Sequence, residues 1–357
     1  MDFPDPITRQ FATDGYVRIK GLLDPVTDLA PLVTEGSQLL DGMLHHYLAG
    51  RPPPEAANSG GFAERSAALL GFSKGLALHH LDPVLNLFSP DYRWQPELPE
   101  ARPPSMFALM RQVKLLDVIA SVIGGEITAS PIYHVNLKLA AKHLQLAEGI
   151  ATAHESGLSD AGFYHFQVGQ TAWHLDAVAG LRDSHESRIV NAWIPLTTAN
   201  EENGCLLVLP GSHREGVYRM PDDAVLARDA VAIPAEPGDV VLLDNKVLHA
   251  SLPNRSDSSY RWAYNFRYLP TGQATGRPFL PAFVARSKRP PETELRDPNL
   301  WAAMWRSALA NLCSKGLPVN YLGVRKMRPE AARQLSSEWA DRVPDYASRL
   351  ALSSGDL

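Results

Sequence analysis

The sequence predicts a mainly β protein whose core, a sandwich or a barrel, is flanked by α-helices at both ends of the chain. The first observation is a change of pattern near residue 127, where helical spacing gives way to short apolar or alternating runs separated by Pro, Gly, Asn and Asp. The second is the number of these runs, which is typical of antiparallel sandwiches and barrels. The nine runs are 131–139, 163–168, 171–176, 188–196, 204–209, 230–233, 239–244, 247–251 and 261–269.

The domain organisation follows from what the sequence contains between its elements. It has no internal repeat and no linker rich in Gly or Ser, so we expect a single domain over residues 1–357. Its β core should lie at about 127–270, with helical wrapping from 1–126 and 285–357. The 29 prolines fit strands and loops better than a helical bundle.

The N-terminal segment predicts a helix, a strand and a second helix in turn. The helix over Pro6–Thr13 should end at Asp14-Gly15, and Tyr16–Lys20 then alternates between two faces, as a half-buried strand does. Residues 26–49 return to helical spacing, and 51–61 (RPPPEAANSGG) predicts a loop.

Two apolar stripes predict further helices. Ser105 is expected to cap one continuous helix that Gly124-Gly125 ends. Its stripe has the spacing 4, 3, 4, 3 of a helix packed on a sheet. The stripe consists of Leu109, Val113, Leu116, Ala120 and Ile123, and a second stripe near the C-terminus consists of Trp301, Met304, Trp305, Leu309 and Leu312.

Composition excludes several classes of function. Lys and Arg number 34 against 39 Asp and Glu, so the formal net charge is −5 and no basic run is available to bind a nucleic acid. Cys205 and Cys313 are too few for a disulfide framework or a cysteine zinc site. The sequence shows no secretory signal and no apolar run long enough to span a membrane. We therefore expect a cytoplasmic protein, and its oligomeric state stays open.

Two short motifs carry the residue types of a metal site. In Trp173-His174-Leu175-Asp176, a strand would place His174 and Asp176 on one face. The second motif is Asp244-Asn245-Lys246-Val247-Leu248-His249, in which His249 opens a predicted strand. Two histidines and one carboxylate are the ligand set of non-haem Fe(II) oxygenases, which leaves half of the coordination sphere open. The pair His174 and Asp176 alone is weak evidence for a metal site, and a single histidine such as His249 is more often structural.

Two predicted strands have one polar and one apolar face. In 261–268 the aromatic residues alternate with Arg261, Ala263, Asn265 and Arg267. If that polar face points into a barrel, its arginines need a buried anion, such as a dicarboxylate bound by a bidentate pair. In 132–139 the polar face could equally be a solvated edge or a ligand face; it consists of His134, Asn136 and Lys138.

Together, three segments resemble the phytanoyl-CoA dioxygenase family of Fe(II)/2-oxoglutarate oxygenases. They are WHLD at 173–176, VNAWIPLTTANEENGCLLVLPGSHREG at 190–216 and EPGDVVLLDNKVLHASLPNRSDSSYRWAYNFRYLP at 236–270. The opening FATDGYVRIKGLLDPV is similar to that family's N-terminus, and the order of the motifs makes the resemblance specific. It covers roughly residues 8–30 and 130–270.

The resemblance implies a double-stranded β-helix, the jelly-roll or cupin-like fold, and a set of site residues. It implies that Fe(II) is bound by His174, Asp176 and His249, and that 2-oxoglutarate is bound by Arg261, Ser251, Asn136 and Trp193, with Arg261 on its C5 carboxylate. Arg261 lies twelve residues after His249, where eleven is commoner in the family, and a longer loop at 253–259 would absorb the difference. Arg267 is the reserve anchor, about 20 Å further along the same face at 3.3 Å per residue.

Substrate contacts are the least specified part of the site. Arg182 and His185 lie in 177–187, which should border the iron together with 140–170, although such residues more often belong to a solvated loop. Asn265 is the third candidate. Whether the two segments form a lid stays open. His134, His143, His154 and His165 are interpreted as surface or core histidines, and the Pro-Gly-Ser-His turn at 210–213 as structural.

The implied activity is that of an Fe(II)- and 2-oxoglutarate-dependent dioxygenase. With O2 as oxidant, it would hydroxylate an unactivated C–H bond of a small-molecule metabolite or natural-product intermediate and release succinate and CO2. Desaturation, ring closure and epoxidation remain open, whereas Asp176 argues against halogenation because related halogenases lack this carboxylate. The alternatives are a metal-dependent jelly-roll binding protein and a cupin-type isomerase or hydrolase.

Overall fold

The computed structural model describes residues 5–48, 61–72, 102–140, 170–216, 221–289 and 291–316. Within these ranges the chain forms ten strands and seven α-helices. The strands are β1 Tyr16–Ile19, β2 Ile127–Ala129, β3 His134–Lys138, β4 Val190–Pro195, β5 Leu206–Val208, β6 Val231–Ile233, β7 Val240–Asp244, β8 His249–Ser251, β9 Arg261–Pro270 and β10 Phe283–Arg286. The helices are α1 Pro6–Asp14, α2 Ala30–Leu48, α3 Phe62–Phe72, α4 Pro104–Met110, α5 Val113–Ile123, α6 Asp223–Asp229 and α7 Pro298–Ser314.

All strand pairs are antiparallel, and they build two sheets. The larger sheet has the order β1-β7-β4-β9-β2-β10, and β3 pairs with the other half of the long strand β9. The smaller sheet has the order β6-β5-β8. Apolar side chains of both sheets meet in one buried cluster, where Trp193, Val241 and Leu243 of the larger sheet pack with Leu206 and Val208 of the smaller one. The sheets therefore face each other, and the predicted jelly-roll core is confirmed.

Helices cover the outer face of the larger sheet. In β9, side chains alternate between this outer face and the space between the sheets, as the sequence predicts. The aromatic face of β9 lies in a second buried cluster with side chains from α1, α2, α4, α5 and α7. The opposite face of β9 points between the sheets, since Ala263 belongs to the inter-sheet cluster. The buried aromatic residues of the outer face are Trp262, Tyr264, Phe266 and Tyr268.

Seven of the nine predicted strand segments contain a strand, and two need comment. Segment 163–168 lies outside the described residues. Segment 171–176 is not a full strand: it makes an isolated bridge between His174 and His249, and the chain turns into a 3-10 helix at Asp176. The larger sheet also extends beyond the predicted 127–270, because β1 forms its edge on β7 and β10 pairs with β2.

The prediction of one continuous helix after Ser105 is wrong. The chain forms two helices, α4 and α5, separated by a turn at Arg111-Gln112. Gln112 caps α5 by accepting from the Lys114 N–H, whereas Ser105 donates to Glu35. Val113 is 64% exposed instead of buried in the stripe. Each helix satisfies the apolar spacing by itself, so the pattern could not reveal the turn between them.

The terminal helices agree with their predictions. Helix α1 ends at Gly15, which adopts the left-handed conformation with φ 75°. In α7 all five residues of the predicted apolar stripe are buried. Residues 51–60 of the predicted loop at 51–61, and residues 317–357, lie outside the described residues. Among the described helices, none has both the length and the hydropathy needed to cross a lipid bilayer.

Candidate active site

The three predicted metal ligands meet at one end of the space between the sheets. His174 and His249 exchange two backbone hydrogen bonds of 3.0 and 3.1 Å, which bring their ring centroids to 4.2 Å. Asp176 follows two residues later, with its Oδ1 3.7 Å from His174 Nε2 and its Oδ2 3.7 Å from His249 Nε2. In the described part of the chain, this is the one group of three or more His, Cys, Asp or Glu residues whose ligand atoms lie within 4.8 Å of one another.

Backbone carbonyls fix the tautomer of both histidines. His174 Nδ1 lies 2.9 Å from the Ala172 carbonyl oxygen, and His249 Nδ1 lies 3.1 Å from that of Val247. A carbonyl oxygen only accepts, so each Nδ1 carries a proton, and Nε2 is the ring nitrogen on the side of Asp176 that could bind a metal. Burial, together with His249, lowers the pKa of His174 to about 4. Its imidazole is therefore neutral at pH 7, as a metal ligand must be.

The carboxylate of Asp176 is held by an arginine. Arg267 Nη2 donates to Asp176 Oδ1 at 2.7 Å, and Arg267 Nη1 donates to the Asp176 backbone carbonyl at 3.3 Å. Although burial alone would raise the pKa of Asp176, the Arg267 guanidinium and the two histidines bring it well below its ordinary value. Asp176 is therefore ionised. Arg267 was the reserve anchor for 2-oxoglutarate, and the structure instead pairs it with this carboxylate.

The turn after β5 forms hydrogen bonds to the residue that precedes His249. Ser212 Oγ accepts the Leu248 N–H at 2.9 Å and donates to the Leu209 carbonyl at 2.7 Å. Leu209 N–H in turn donates to the Leu248 carbonyl at 2.9 Å. The Pro-Gly-Ser-His turn thus fixes the backbone just before His249, in agreement with its structural interpretation.

A single cavity joins the candidate metal site to most of the other predicted residues. Its walls come from both sheets and from the segment that carries His174. The predicted residues that line it are Asn136, His174, Asp176, Trp193, His249, Ser251, Arg261 and Asn265, and the further lining residues are His134, Thr171, Leu206, Leu243 and Ala250.

Arg182 and His185 are not among the residues that line this cavity. Arg182 opens a short 3-10 helix, Arg182–Ser184, and its side chain is exposed, while His185 is half-buried. Of the segment 140–170, only residues 140 and 170 are described. The structure therefore brings one of the three predicted substrate residues, Asn265, to the cavity.

Arg261 supplies the positive end of the cavity. It is 1% exposed, and no hydrogen bond or ion pair joins its side chain to another described residue. Its guanidinium carbon lies 5.5 Å from the centre of the Trp193 ring. Burial lowers the pKa of Arg261 to about 9, and Lys138, its buried cross-strand neighbour, has a pKa well below the usual value because of burial and the charge of Arg261. A buried guanidinium without an ion pair among the described residues favours an anionic ligand.

The loop before β9 accommodates the twelve-residue interval between His249 and Arg261. Asn254 Nδ2 donates to the Ser259 carbonyl at 2.8 Å, and Ser256 Oγ donates to Asn254 Oδ1 at 2.6 Å. These bonds close the loop locally, and Arg261 still faces the cavity.

Two polar lining residues, His134 and Thr171, had no assigned site role from the sequence. His134, interpreted as a surface or core histidine, borders the cavity without belonging to the metal group, and its Nε2 lies 3.3 Å from Arg267 Nη2. Thr171 reaches the cavity because its N–H donates to Ser251 Oγ at 3.1 Å. The alternation of β3 could have located His134, whereas no motif marks Thr171.

The donor set fits a divalent first-row metal such as Fe(II). Two imidazoles and one carboxylate leave half of an octahedral sphere for other ligands. Three polar atoms of the same cavity are buried without a described hydrogen-bond partner, as expected where a polar ligand belongs. They are Arg261 Nε, Trp193 Nε1 and Asn265 Oδ1.

Comparisons with known proteins place this site in a family. The sequence profile of phytanoyl-CoA dioxygenase (PhyH) matches residues 11–263. The phytanoyl-CoA dioxygenase domain-containing protein 1 homolog of Dictyostelium discoideum is 35% identical over 94 residues, which are 22% of this chain and 33% of that protein. Phytanoyl-CoA dioxygenase domain-containing protein 1 of Rattus norvegicus is 33% identical over 130 residues, 32% of this chain and 42% of that protein. The chain thus spans less than half the length of each of these relatives.

A solved structure, the apo form of EctD from S. alaskensis, has 21% sequence identity and a TM-score of 0.49, over 83% of this chain and 89% of that one. The PhyH profile match, in contrast, extends over well more than half of the 357 residues and includes His174, Asp176, His249 and Arg261. The chain therefore belongs to the phytanoyl-CoA dioxygenase (PhyH) family.

Proposed function

We propose that this chain is an Fe(II)- and 2-oxoglutarate-dependent dioxygenase that hydroxylates an unactivated C–H bond of a small-molecule metabolite or natural-product intermediate. Succinate and CO2 would be the products of the co-substrate. One observation carries the proposal: the cavity that contains the two-histidine, one-carboxylate group also contains a buried arginine with no carboxylate partner among the described residues.

Each residue has a defined task in this proposal. His174, Asp176 and His249 would hold Fe(II), and the bound iron would supply the O2 activation that couples decarboxylation of 2-oxoglutarate to oxidation of the substrate. Arg261 would bind the C5 carboxylate of 2-oxoglutarate by a bidentate pair, because its planar fork matches a carboxylate. Its Cα lies about 13 Å along β9 from that of Asn265, at 3.3 Å per residue.

The remaining lining residues would orient the co-substrate and limit the access of water. Ser251 lies two residues beyond His249 on the same face of β8 and would share the carboxylate held by Arg261. Asn136 and Trp193 project from β3 and β4 into the cavity and would border the carbon chain. Leu206 and Leu243 give the cavity apolar walls, which would limit the access of water and strengthen the proposed charge pair at Arg261.

The type of oxidation and the substrate belong to this proposal as well. Hydroxylation is the simplest outcome of C–H oxidation by this machinery. Ring closure, desaturation and epoxidation would require the same ligands. Asn265 Nδ2 lies 3.5 Å from Asp176 Oδ2. Of the three predicted substrate residues, Asn265 is therefore the one that could contact a substrate close to the metal.

Turnover of 2-oxoglutarate tests the proposal directly. Protein loaded with Fe(II) should release succinate from 2-oxoglutarate in the presence of O2, and a true substrate should accelerate this release and appear with one added oxygen atom. The matched control is His249→Ala, which should do neither. A jelly-roll protein that only binds its ligands, or an isomerase, would bind metal without succinate release, and that result would refute the proposal.

A further inference from the structure

Asp176 lies two residues beyond the bridge at His174, where the chain has left the sheet. The bridge between His174 and His249 fixes the backbone of His174, but Asp176 opens a 3-10 helix, Asp176–Ala179, and has no strand partner. The Ala177 N–H donates to the Asn245 carbonyl at 2.8 Å just beyond it. Its carboxylate therefore needs a further contact to keep a fixed direction, unlike the two histidines, whose Nδ1 atoms are anchored by carbonyls.

Arg267 supplies this contact twice. Its Nη2 donates to Asp176 Oδ1 at 2.7 Å, and its Nη1 donates to the backbone carbonyl of the same residue at 3.3 Å. Both side chains are almost fully buried, at 1% and 2% relative exposure. A short charge-assisted bond in such surroundings is among the stronger hydrogen bonds in proteins. His134 Nε2 lies 3.3 Å from the same Nη2.

We infer that Arg267 is a positioning residue that engages Asp176 Oδ1 and leaves Oδ2, which lies 3.7 Å from His249 Nε2, as the oxygen that binds the metal. This inference rests on the proposed function. Without the Arg267 bond to Oδ1, the carboxylate could bind the metal through both oxygens and occupy one coordination position more. Arg267 thereby preserves a position that the co-substrate and O2 need.

The charge of Arg267 makes the inference testable, because a bare charge and a positioning contact act in opposite directions. As a charge, the guanidinium repels a divalent metal, so its removal would tighten metal binding. As a positioning group, it orders a ligand, and loss of such a contact typically weakens metal binding by about 10- to 100-fold.

The experiment is a titration of the metal-free protein with Co(II). Binding is monitored by calorimetry and by the visible absorption of Co(II), which reports its coordination number. Arg267→Met should weaken Co(II) binding by about 10- to 100-fold and change the absorption spectrum. Arg267→Lys, which keeps the charge but not the fork, should lie between Arg267→Met and the natural chain. Arg277→Met is the matched control: Arg277 is equally buried and donates to the Ala179 carbonyl, and its loss should leave Co(II) binding unchanged.

A double-mutant cycle isolates the contact. In the background of Asp176→Ala, Arg267→Met should cause no further loss of Co(II) affinity. Thermal unfolding of each metal-free variant reports whether it folds, and if Arg267→Met does not, the comparison of Arg267→Lys with the natural chain decides. Unchanged or tighter Co(II) binding in the Arg267 variants would overturn the inference alone. Absence of Co(II) binding by the natural chain would refute the metal site and the proposed function with it.

Discussion

Arg261 and Arg267 project from the same face of β9, but the protein itself provides a carboxylate only for Arg267 among the described residues. Arg267 Nη2 lies 2.7 Å from Asp176 Oδ1, whereas Arg261 forms no described ion pair and lies over the ring of Trp193. Two arginines six positions apart on one strand therefore differ in their partners. Arg267 forms an ion pair within the protein, whereas Arg261 is available to bind an anionic ligand.

Arg261→Met should therefore weaken the use of 2-oxoglutarate. Truncating one side of a buried charge pair costs about 2–5 kcal/mol, which corresponds to an increase of about 30- to 5000-fold in the KM for 2-oxoglutarate. The measurement is the initial rate of succinate release as a function of 2-oxoglutarate concentration.

Arg182→Met is the control for the Arg261 variant, because the Arg182 side chain is exposed and does not line the cavity. It should leave this KM unchanged. A normal KM in Arg261→Met, with a large increase in Arg267→Met instead, would mean that Arg267 is the anchor.

The sequence predicted the inner and outer faces of the sheets better than it predicted the ends of the elements. The alternation in 261–268 identifies which side chains point to the helices and which to the cavity, because a two-residue period survives any choice of strand boundary. The grouping of His174, Asp176 and His249 was also predictable, since short motifs carry these residues. The turn at Arg111-Gln112 was not, because both flanking helices repeat the same apolar spacing.

The role of Arg267 shows what sequence spacing cannot supply. On the strand it is equivalent to Arg261, and only the three-dimensional path of 174–179 brings the Asp176 carboxylate to it. Thr171 likewise enters the cavity through its hydrogen bond to Ser251, a contact between residues 80 positions apart. Such long-range contacts depend on how separate segments meet.

His174→Ala and His249→Ala should each abolish oxidation and most of the Fe(II) binding. A site with three protein ligands loses a third of them in either variant, and the remaining pair cannot define the same geometry. Iron content after dialysis, succinate release and far-UV circular dichroism should be measured together. Full iron retention with normal turnover in either variant would show that the residue is not a ligand.

Cys205 should be inert toward thiol reagents in the folded protein, and Cys313 should react. Cys205 is fully buried, and burial, together with the charge of Glu201, raises its pKa to about 11. At pH 8 its thiol is therefore protonated, and the thiolate is the reactive form. Cys313 is only partly buried. Reaction with a chromogenic disulfide at pH 8 should label one thiol before unfolding and two after it, and Cys313→Ser should remove the first.

Asp176→Gly should remove one of the three candidate metal ligands and leave Arg267 without this partner. Native oxidation should fall steeply, because the geometry of the ligands and their surroundings both change. The site also becomes one unit more positive, so a small anion such as chloride should bind between Arg267 and the two histidines. Asp176→Glu is the control, since it keeps the charge and moves the carboxylate by one methylene. Product formation, iron content and the chloride dependence of the Co(II) spectrum should be compared in the three proteins, and oxidation by Asp176→Gly at the rate of the natural chain would exclude Asp176 as a ligand.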